Sequence, residues 1–206
     1  MTWDTNLPFP PQDSRRSAGG GPVFCPMLAV DIAAFGDRRR DEAVQLHLRA
    51  ALYAILQEAF SLSNIAWRQC HVEGLGDGIL VIFPPGLSAV TVLGPLIDHL
   101  RTALRRHNKL ASTVAKIRLR TAVHAGHVHF DRHGVAGHAL VHLFRLLDAP
   151  MFKDACGGAE LGLVASDYLY DAVIRHGYGP INPSSYHPVR MSVKETQALA
   201  WIGKPA

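Results

Sequence analysis

Short apolar runs alternate with two long amphipathic stretches over most of the chain. Residues 41–60 repeat apolar side chains at helical spacing, and residues 89–107 do the same. Strands are predicted over residues 23–31, 67–72, 79–83 and 117–124. The resulting order βαββαβ predicts an α+β fold with a ferredoxin-like core, in which both helices pack on one face of an antiparallel sheet and the other face is free for a ligand or partner.

Weaker patterns follow this core and precede it. After the core the sequence predicts a helix over 138–147, a loop over 151–160, a strand over 161–165, a short helix over 167–176 with Ser166 as its cap, and a closing hairpin of 189–193 with 198–202. Residues 1–22 are rich in proline and glycine and poor in large apolar side chains, which predicts a flexible leader before one domain, 23–206.

Composition narrows the class of protein. No apolar run approaches the roughly 18 residues of a membrane helix, and the N-terminus lacks the pattern of a signal peptide, so we expect a cytoplasmic protein without membrane contact. Cys25, Cys70 and Cys156 are odd in number and unclustered, which favours a reducing compartment and buried packing positions over disulfides.

The formal net charge of +4 is mild, but basic residues form three groups. These groups are Arg38–Arg40, Arg101 with Arg105 and Arg106, and Lys116 with Arg118 and Arg120. No aromatic side chains interleave them, so nucleic acid is not the expected partner. Two interpretations remain: solvated surfaces, or a field that attracts an anionic small molecule.

Two acidic residues lie next to apolar runs. Asp31 follows the run 27–30, and Asp77 lies in the Gly-rich turn 74–78 between two strands. Neighbouring strands can hold these carboxylates side by side, and magnesium prefers oxygen ligands together with substrate phosphates. The pair therefore predicts a metal site that receives a nucleotide, although a Gly-Asp-Gly turn alone also fits an ordinary hairpin.

Four groups of residues together resemble the catalytic domain of class III nucleotidyl cyclases. They are Asp31 in the segment Val30–Phe35, Asp77 in Gly76–Gly78, Arg145 late in a helix that follows Gly137, and Lys194 after Val193. The resemblance extends from about Met27 to the C-terminus and is most specific for the two acidic motifs.

The resemblance implies a role for each position. Asp31, Asp77 and the backbone carbonyl of Ile32 would hold two divalent cations, Mg²⁺ or Mn²⁺. Arg145 would stabilise charge on the reacting phosphates, and Lys194 would bind the distal phosphates. From the residues alone, Arg145 equally suits a helix surface and Lys194 a solvated hairpin.

A base-contacting position follows from the same resemblance. Glu73, four residues before Asp77, stands where similar guanylate cyclases carry glutamate, and this favours GTP. A glutamate accepts hydrogen bonds from the N1 and N2 hydrogens of guanine or from the amino group of cytosine. Small stand-alone cyclases also resemble antiphage-defence enzymes that make cyclic CMP or cyclic UMP, so CTP, UTP and ATP stay open. A plain surface acid is the alternative for Glu73.

The implied reaction is attack of the ribose 3'-hydroxyl on the α phosphate while pyrophosphate leaves. Such phosphoryl transfer depends on positioning and on charge neutralisation by two metal ions. Cyclase sites of this type form between subunits, with the metals on one and the base, arginine and lysine on the other. Because this chain carries both sets, the resemblance implies a head-to-tail homodimer with two equivalent sites.

Two positions depart from the family pattern. Val141 stands where the family has an asparagine that orients the ribose, and Gly134 stands where a second base-contacting side chain is expected. A valine cannot form that hydrogen bond. Three outcomes follow from the resemblance: weak activity, use of His142 or His138 to bind the substrate instead, or no cyclisation at all. The departures leave a second hypothesis open: a catalytically silent cyclase-like domain that senses a nucleotide or a protein. A palm-like polymerase on the same strand order is a third.

Overall fold

A mixed eight-stranded sheet forms the framework of the computed structural model, which describes residues 21–203. Nearly all of the predicted leader, 1–22, lies outside the described residues. The strands are β1 Val23–Ile32, β2 His71–Gly74, β3 Gly78–Ile82, β4 Leu119–Asp131, β5 Gly134–Ala136, β6 Leu161–Ser166, β7 Tyr186–Val193 and β8 Thr196–Gly203. Their order across the sheet is β2-β3-β1-β4-β6-β8-β7, with β5 paired to β4.

Six helices accompany the sheet in the described part of the chain. They are α1 Glu42–Leu62, α2 Ala89–Thr91, α3 Ile97–Leu110, α4 His138–Asp148, α5 Pro150–Cys156 and α6 Asp167–Ala172. A π-helical turn, Val92–Leu96, joins α2 to α3 and contains Pro95, whose missing N–H accounts for the bulge. No helix among these residues is long and apolar enough to cross a membrane.

The predicted βαββαβ core is confirmed, since β1, β3, β2 and β4 form antiparallel pairs in the ferredoxin-like order. Helix α1 begins where Asp41 accepts a hydrogen bond from the Val44 N–H at 2.9 Å, a standard N-terminal cap. Its apolar stripe then packs with α3 against one face of the sheet.

Alternate residues of β1 belong to two separate cores. Leu28 and Val30 pack with α1 and α3, whereas Met27 and Ala29 face α4 and α5. The expectation of a free second sheet face is therefore wrong in part, because α4 and α5 cover some of it. Asp31 shares the side of β1 that faces these two helices.

Three element predictions were wrong at their boundaries. Residues 67–69 form a 3₁₀ turn before the short strand β2, and β4 continues to Asp131 rather than ending at His124. The predicted loop 151–160 contains α5. Pro150 occupies the first turn of that helix, where a proline is tolerated because its missing N–H has no helical partner.

Helix α4 approaches β4 very closely at Gly126. A Cβ atom placed on Gly126 would lie 2.6 Å from the Cβ of Ala139, the second residue of α4. Only glycine at this strand position allows the helix to pack at this distance. The contact fixes how α4 lies over the sheet.

Asn108 provides a test of the fold at the buried entry to β4. The Asn108 side-chain amide donates to the Ile117 carbonyl oxygen and accepts from the Ile117 N–H, both at 2.8 Å. It also donates to Glu160 Oε1 at 3.0 Å. We expect Asn108→Leu to lower the free energy of unfolding by about 2–4 kcal/mol, because the buried polar groups of Ile117 lose their partner.

Urea unfolding of the purified variant measures this loss. Asn182→Ala is the matched control, since Asn182 is exposed and caps a single 3₁₀ turn, and its expected loss is at most about 1 kcal/mol. Equal losses in the two variants would contradict the role given to Asn108.

Candidate active site

The two predicted metal-binding acids lie at the same end of the sheet, Asp31 near the end of β1 and Asp77 in the turn that leads into the adjacent strand β3. Asp31 is opposite Gly78 in the β1–β3 pairing, and the Ile32 N–H donates to the Asp77 carbonyl oxygen at 3.0 Å. Burial raises the pKa of the Asp31 carboxyl above its usual value, and the nearby Asp77 charge raises it further. Asp31, Ile32 and Asp77 therefore form one acidic cluster.

Arg120 binds both carboxylate oxygens of Asp31. Its Nε and Nη2 atoms lie 2.7 and 2.8 Å from these oxygens, and the Asp31 side chain is only 13% exposed. The bidentate pair lowers the Asp31 pKa and so opposes the effect of burial, as does the charge of Lys153 on α5 more weakly. That Arg120 and Lys153 lie next to Asp31 was not predicted from the sequence.

The donors of the acidic cluster fit a hard divalent cation. Both side chains are carboxylates, and the Asp77 carboxylate forms no hydrogen bond or ion pair with residues 21–203. Within the same range, no group of three or more His, Cys, Asp or Glu side chains is arranged as a metal site. Two carboxylates suit a cation that keeps waters or substrate oxygens as its other ligands.

The predicted base-contacting residue lies at the sheet edge. Glu73 is on β2, and its Oε1 atom accepts a hydrogen bond of 2.6 Å from His71 Nε2. A Cβ atom on Gly134 would lie 3.1 Å from the same oxygen. The two positions that the family resemblance assigns to the base are therefore neighbours, and the absent side chain at Gly134 leaves room beside the carboxylate.

Arg145, on α4, and Lys194, in the turn between β7 and β8, lie near the edge of the sheet opposite β2. Arg145 Nη2 donates to Glu195 Oε1 at 2.8 Å, and Glu195 follows Lys194 in the turn between β7 and β8. Lys194 is exposed and has a left-handed φ of 50°. The Nε atom of Arg145 is buried and has no hydrogen-bond partner in the described chain. We call Arg145, Lys194 and Glu195 the basic cluster.

His142 packs inward rather than toward solvent. Its ring lies 4.8 Å from that of His124 in an edge-to-face arrangement, and His124 Nδ1 shares a hydrogen bond of 2.8 Å with the Ser166 hydroxyl. Burial lowers the pKa of both histidines, that of His124 to about 4. Val141, its neighbour, is the exposed residue at 46%. The hypothesis that His142 replaces the family asparagine gains no support from this inward packing.

One sequence signal could have revealed Arg120. The segment 119–125 reads as a buried strand, and an arginine inside such a strand needs a carboxylate partner. The β1–β4 register supplies that partner by placing Arg120 opposite Asp31. His124 and Lys153 carried no comparable signal, because their partners depend on how α4 and α5 pack.

No protein-family model and no curated protein matches the sequence. Solved structures do match the fold. An adenylate/guanylate cyclase/hydrolase from Silicibacter pomeroyi superposes with a TM-score of 0.65 at 16% identity, over 90% of this chain and 99% of that one. The guanylate cyclase domain of RhGC from Catenaria anguillulae, in complex with GTP, gives 0.61 at 13% identity, over 90% and 99% of the chains.

A non-canonical dimeric guanylyl cyclase domain of the RhoGC fusion protein from the aquatic fungus Blastocladiella emersonii gives a TM-score of 0.57 at 12% identity, over 89% of this chain and 98% of that one. The chain has the fold of a nucleotidyl cyclase catalytic domain. Within this cyclase fold, the described residues form an acidic cluster and a basic cluster, and no hydrogen bond or ion pair joins the two.

The histidine pair under α4 predicts a pH dependence of stability. Because the pKa of His124 is lowered from 6.5 to about 4 in the folded domain, the unfolded chain binds more protons between these values. Stability is therefore full above pH 6.5 and declines as the pH falls toward 4, by up to about 3 kcal/mol.

Urea unfolding at pH 7.5 and pH 5 measures this decline. We expect His124→Gln to flatten it, whereas His187→Gln, at an exposed position on β7, should leave it unchanged. An unaltered slope in His124→Gln would show that another group carries the proton.

Proposed function

We propose that the protein is a nucleotidyl cyclase that converts a nucleoside triphosphate into a 3',5'-cyclic nucleotide and pyrophosphate. GTP is the favoured substrate, with CTP, UTP and ATP as alternatives. One observation carries the proposal: Asp31, near the end of β1, and Asp77, in the turn before β3, lie close enough for their charges to interact, in a chain with a cyclase fold. Their donors suit Mg²⁺ or Mn²⁺.

Bound divalent cations would lower the pKa of the attacking 3'-hydroxyl and neutralise charge on the leaving phosphates. The residues of the chain have separate tasks. Asp31 and Asp77 supply anionic oxygens for the cations, and the hydrogen bond between Ile32 and Asp77 holds the two strands in register. Arg120 competes for the oxygens of Asp31, and a guanidinium displaced from them would lie next to the phosphates.

The basic cluster provides the groups expected for the phosphates. Arg145 has a buried Nε atom without a partner in the described residues, and this unused donor is available to a ligand. Glu195 is exposed and holds the guanidinium only through Nη2, so an incoming phosphate can replace it. Lys194 adds a second positive charge at the same turn.

Separation of the two clusters favours a shared site. No hydrogen bond or ion pair joins them within the described residues, and on this proposal each cluster is one half of a cyclase site. A head-to-tail homodimer would bring the acidic cluster of one subunit to the basic cluster and Glu73 of the other. The similarity to a non-canonical dimeric guanylyl cyclase domain supports dimerisation, without indicating which surfaces meet.

A catalytically silent nucleotide sensor is the second candidate. It is favoured by Val141, an exposed apolar residue at the position that would orient the ribose. It is also favoured by Asp31, both of whose oxygens are already bound by Arg120. In this case the chain would bind the nucleotide and pass the signal to a partner without cyclising it.

Incubation of the purified protein with each of the four triphosphates and Mn²⁺ or Mg²⁺ tests the proposal. Mass spectrometry should detect a cyclic nucleotide and pyrophosphate, most with GTP. Asp77→Ala should abolish the product without lowering the melting temperature, because Asp77 is partly exposed and its carboxylate supports no contact within residues 21–203.

Arg145→Ala is the matched control for the acidic cluster. It should lose most of the product and keep Mn²⁺ binding, which electron paramagnetic resonance detects directly. Full activity in Asp77→Ala would remove the metal assignment. Nucleotide binding without conversion of any of the four triphosphates would replace the cyclase proposal with the sensor.

Val141→Asn should raise the rate of cyclisation. An asparagine restores a polar contact to the ribose, and loss of such a contact costs on the order of 10- to 1000-fold in rate. The gain should appear in kcat more than in KM. Val141→Leu, which keeps the position apolar, is the control; an equal gain in this variant would contradict the positioning role.

A further inference from the structure

A cationic cleft lies at the end of the sheet beyond Arg120. It has a volume of about 330 Å³ and is enclosed by three loops: residues 34–40, residues 113–118, and residues 158–160. Two of the basic groups in the sequence converge here, Arg39–Arg40 from one loop and Lys116 with Arg118 from another. Neither Asp31 nor Asp77 lines the cleft, so it is separate from the acidic cluster.

The charges around the cleft do not balance. Four cationic side chains face two carboxylates, Asp37 and Glu160. Asp37 already accepts three hydrogen bonds from Arg39. The backbone N–H and Nε of Arg39 each donate to Asp37 Oδ1 at 3.0 Å, and Nη2 donates to Asp37 Oδ2 at 2.8 Å. Glu160 accepts a hydrogen bond from Asn108 and lies 3.9 Å from Arg105. The other three cations therefore lack a carboxylate of their own.

Arg40 forms the fixed wall of the cleft. Its guanidinium donates to the carbonyl oxygens of Ala33, Ala34, Val114 and Lys116, which ties two of the loops together. Burial lowers the pKa of Arg40; Asp37 opposes this, and the charges of Arg118 and Arg39 lower it further. An anion in the cleft would relieve this crowding of positive charge.

Lys116 and Arg118 keep donors available for such an anion. Lys116 is exposed and forms no ion pair with residues 21–203. Among residues 21–203, the Arg118 guanidinium has one hydrogen-bond acceptor, the carbonyl oxygen of Gly157 at 3.4 Å. Both side chains can therefore turn into the cleft without breaking an existing ion pair.

We propose that this cleft binds a compact polyphosphate anion, held by Lys116 and Arg118 against the fixed guanidinium of Arg40. The cleft shares the segment Ala33–Ala34 with the strand end that carries Asp31 and Ile32. Ala34 already has a left-handed φ of 55°, and the Ala33 N–H donates to the Arg118 carbonyl at 2.8 Å. An occupant would thereby restrain the loop beside the acidic cluster. This proposal does not depend on the cyclase activity.

Calorimetric titration with inorganic pyrophosphate in metal-free buffer tests the site. We expect the wild type to bind pyrophosphate more tightly than inorganic phosphate, and the affinity to fall with rising salt. Lys116→Ala with Arg118→Ala should weaken binding on the order of 100-fold, because each lost charge-assisted hydrogen bond contributes roughly a factor of ten.

A control pair removes the same charge elsewhere. The double variant Arg175→Ala with Arg190→Ala removes two exposed arginines, one in the 3₁₀ turn after α6 and one on β7. It should leave the affinity unchanged. Amide hydrogen exchange should slow in residues 33–40 and 112–118 of the wild type when pyrophosphate binds. Asp77→Ala and Arg145→Ala should each keep the binding that depends on Lys116 and Arg118, which separates this site from the acidic cluster and from the basic cluster.

Three results would overturn the proposal. They are absence of binding at millimolar pyrophosphate, equal weakening in the control pair, and protection from exchange confined to residues outside the two loops. The melting temperatures of both double variants should match the wild type, since all four substituted side chains are exposed.

Discussion

Everything at the candidate active site depends on the register of β1. This strand is hydrogen-bonded on both sides, to β3 and to β4, so Asp31 lies opposite Gly78 on one neighbour and Arg120 on the other. Because side chains alternate along a strand, a shift of one residue would turn Asp31 toward α1 and α3 and away from its partners. The apolar residues of β1, buried in two different cores, resist that shift.

The Asp31–Arg120 pair stabilises the fold but would compete with a metal ion for the Asp31 carboxylate. In the free chain it satisfies a carboxylate that is mostly buried, and removal of the arginine alone would leave an uncompensated charge. On the proposed function, a divalent cation at the same oxygens would have to displace or share this arginine. The metal affinity would then depend on an exchange of one cation for another, and the burial that raises the Asp31 pKa would strengthen the interaction with either cation.

Much of the fold was predictable because its signals are local. The stripe of α1, its cap at Asp41, and the Gly-rich turn around Asp77 each follow from a few neighbouring residues. Helix α5 was not predictable, since Pro150 reads equally as the end of one helix or the start of the next. At the site, the pairing of the two acids followed from strand order. The contacts of His142 and Arg145 depend on how α4 lies over the sheet, and no local pattern specifies that.

The position of α4 depends in turn on a side chain that is absent. At Gly126 the strand leaves a hollow into which Ala139 fits, so the helix lies close to the sheet. A methyl group there would lift the start of the helix, and Arg145, two turns further along, would move with it. The position of Arg145, the residue that we propose binds the phosphates, thus depends on a glycine packed against the other end of the helix, which has no side chain to contact a ligand.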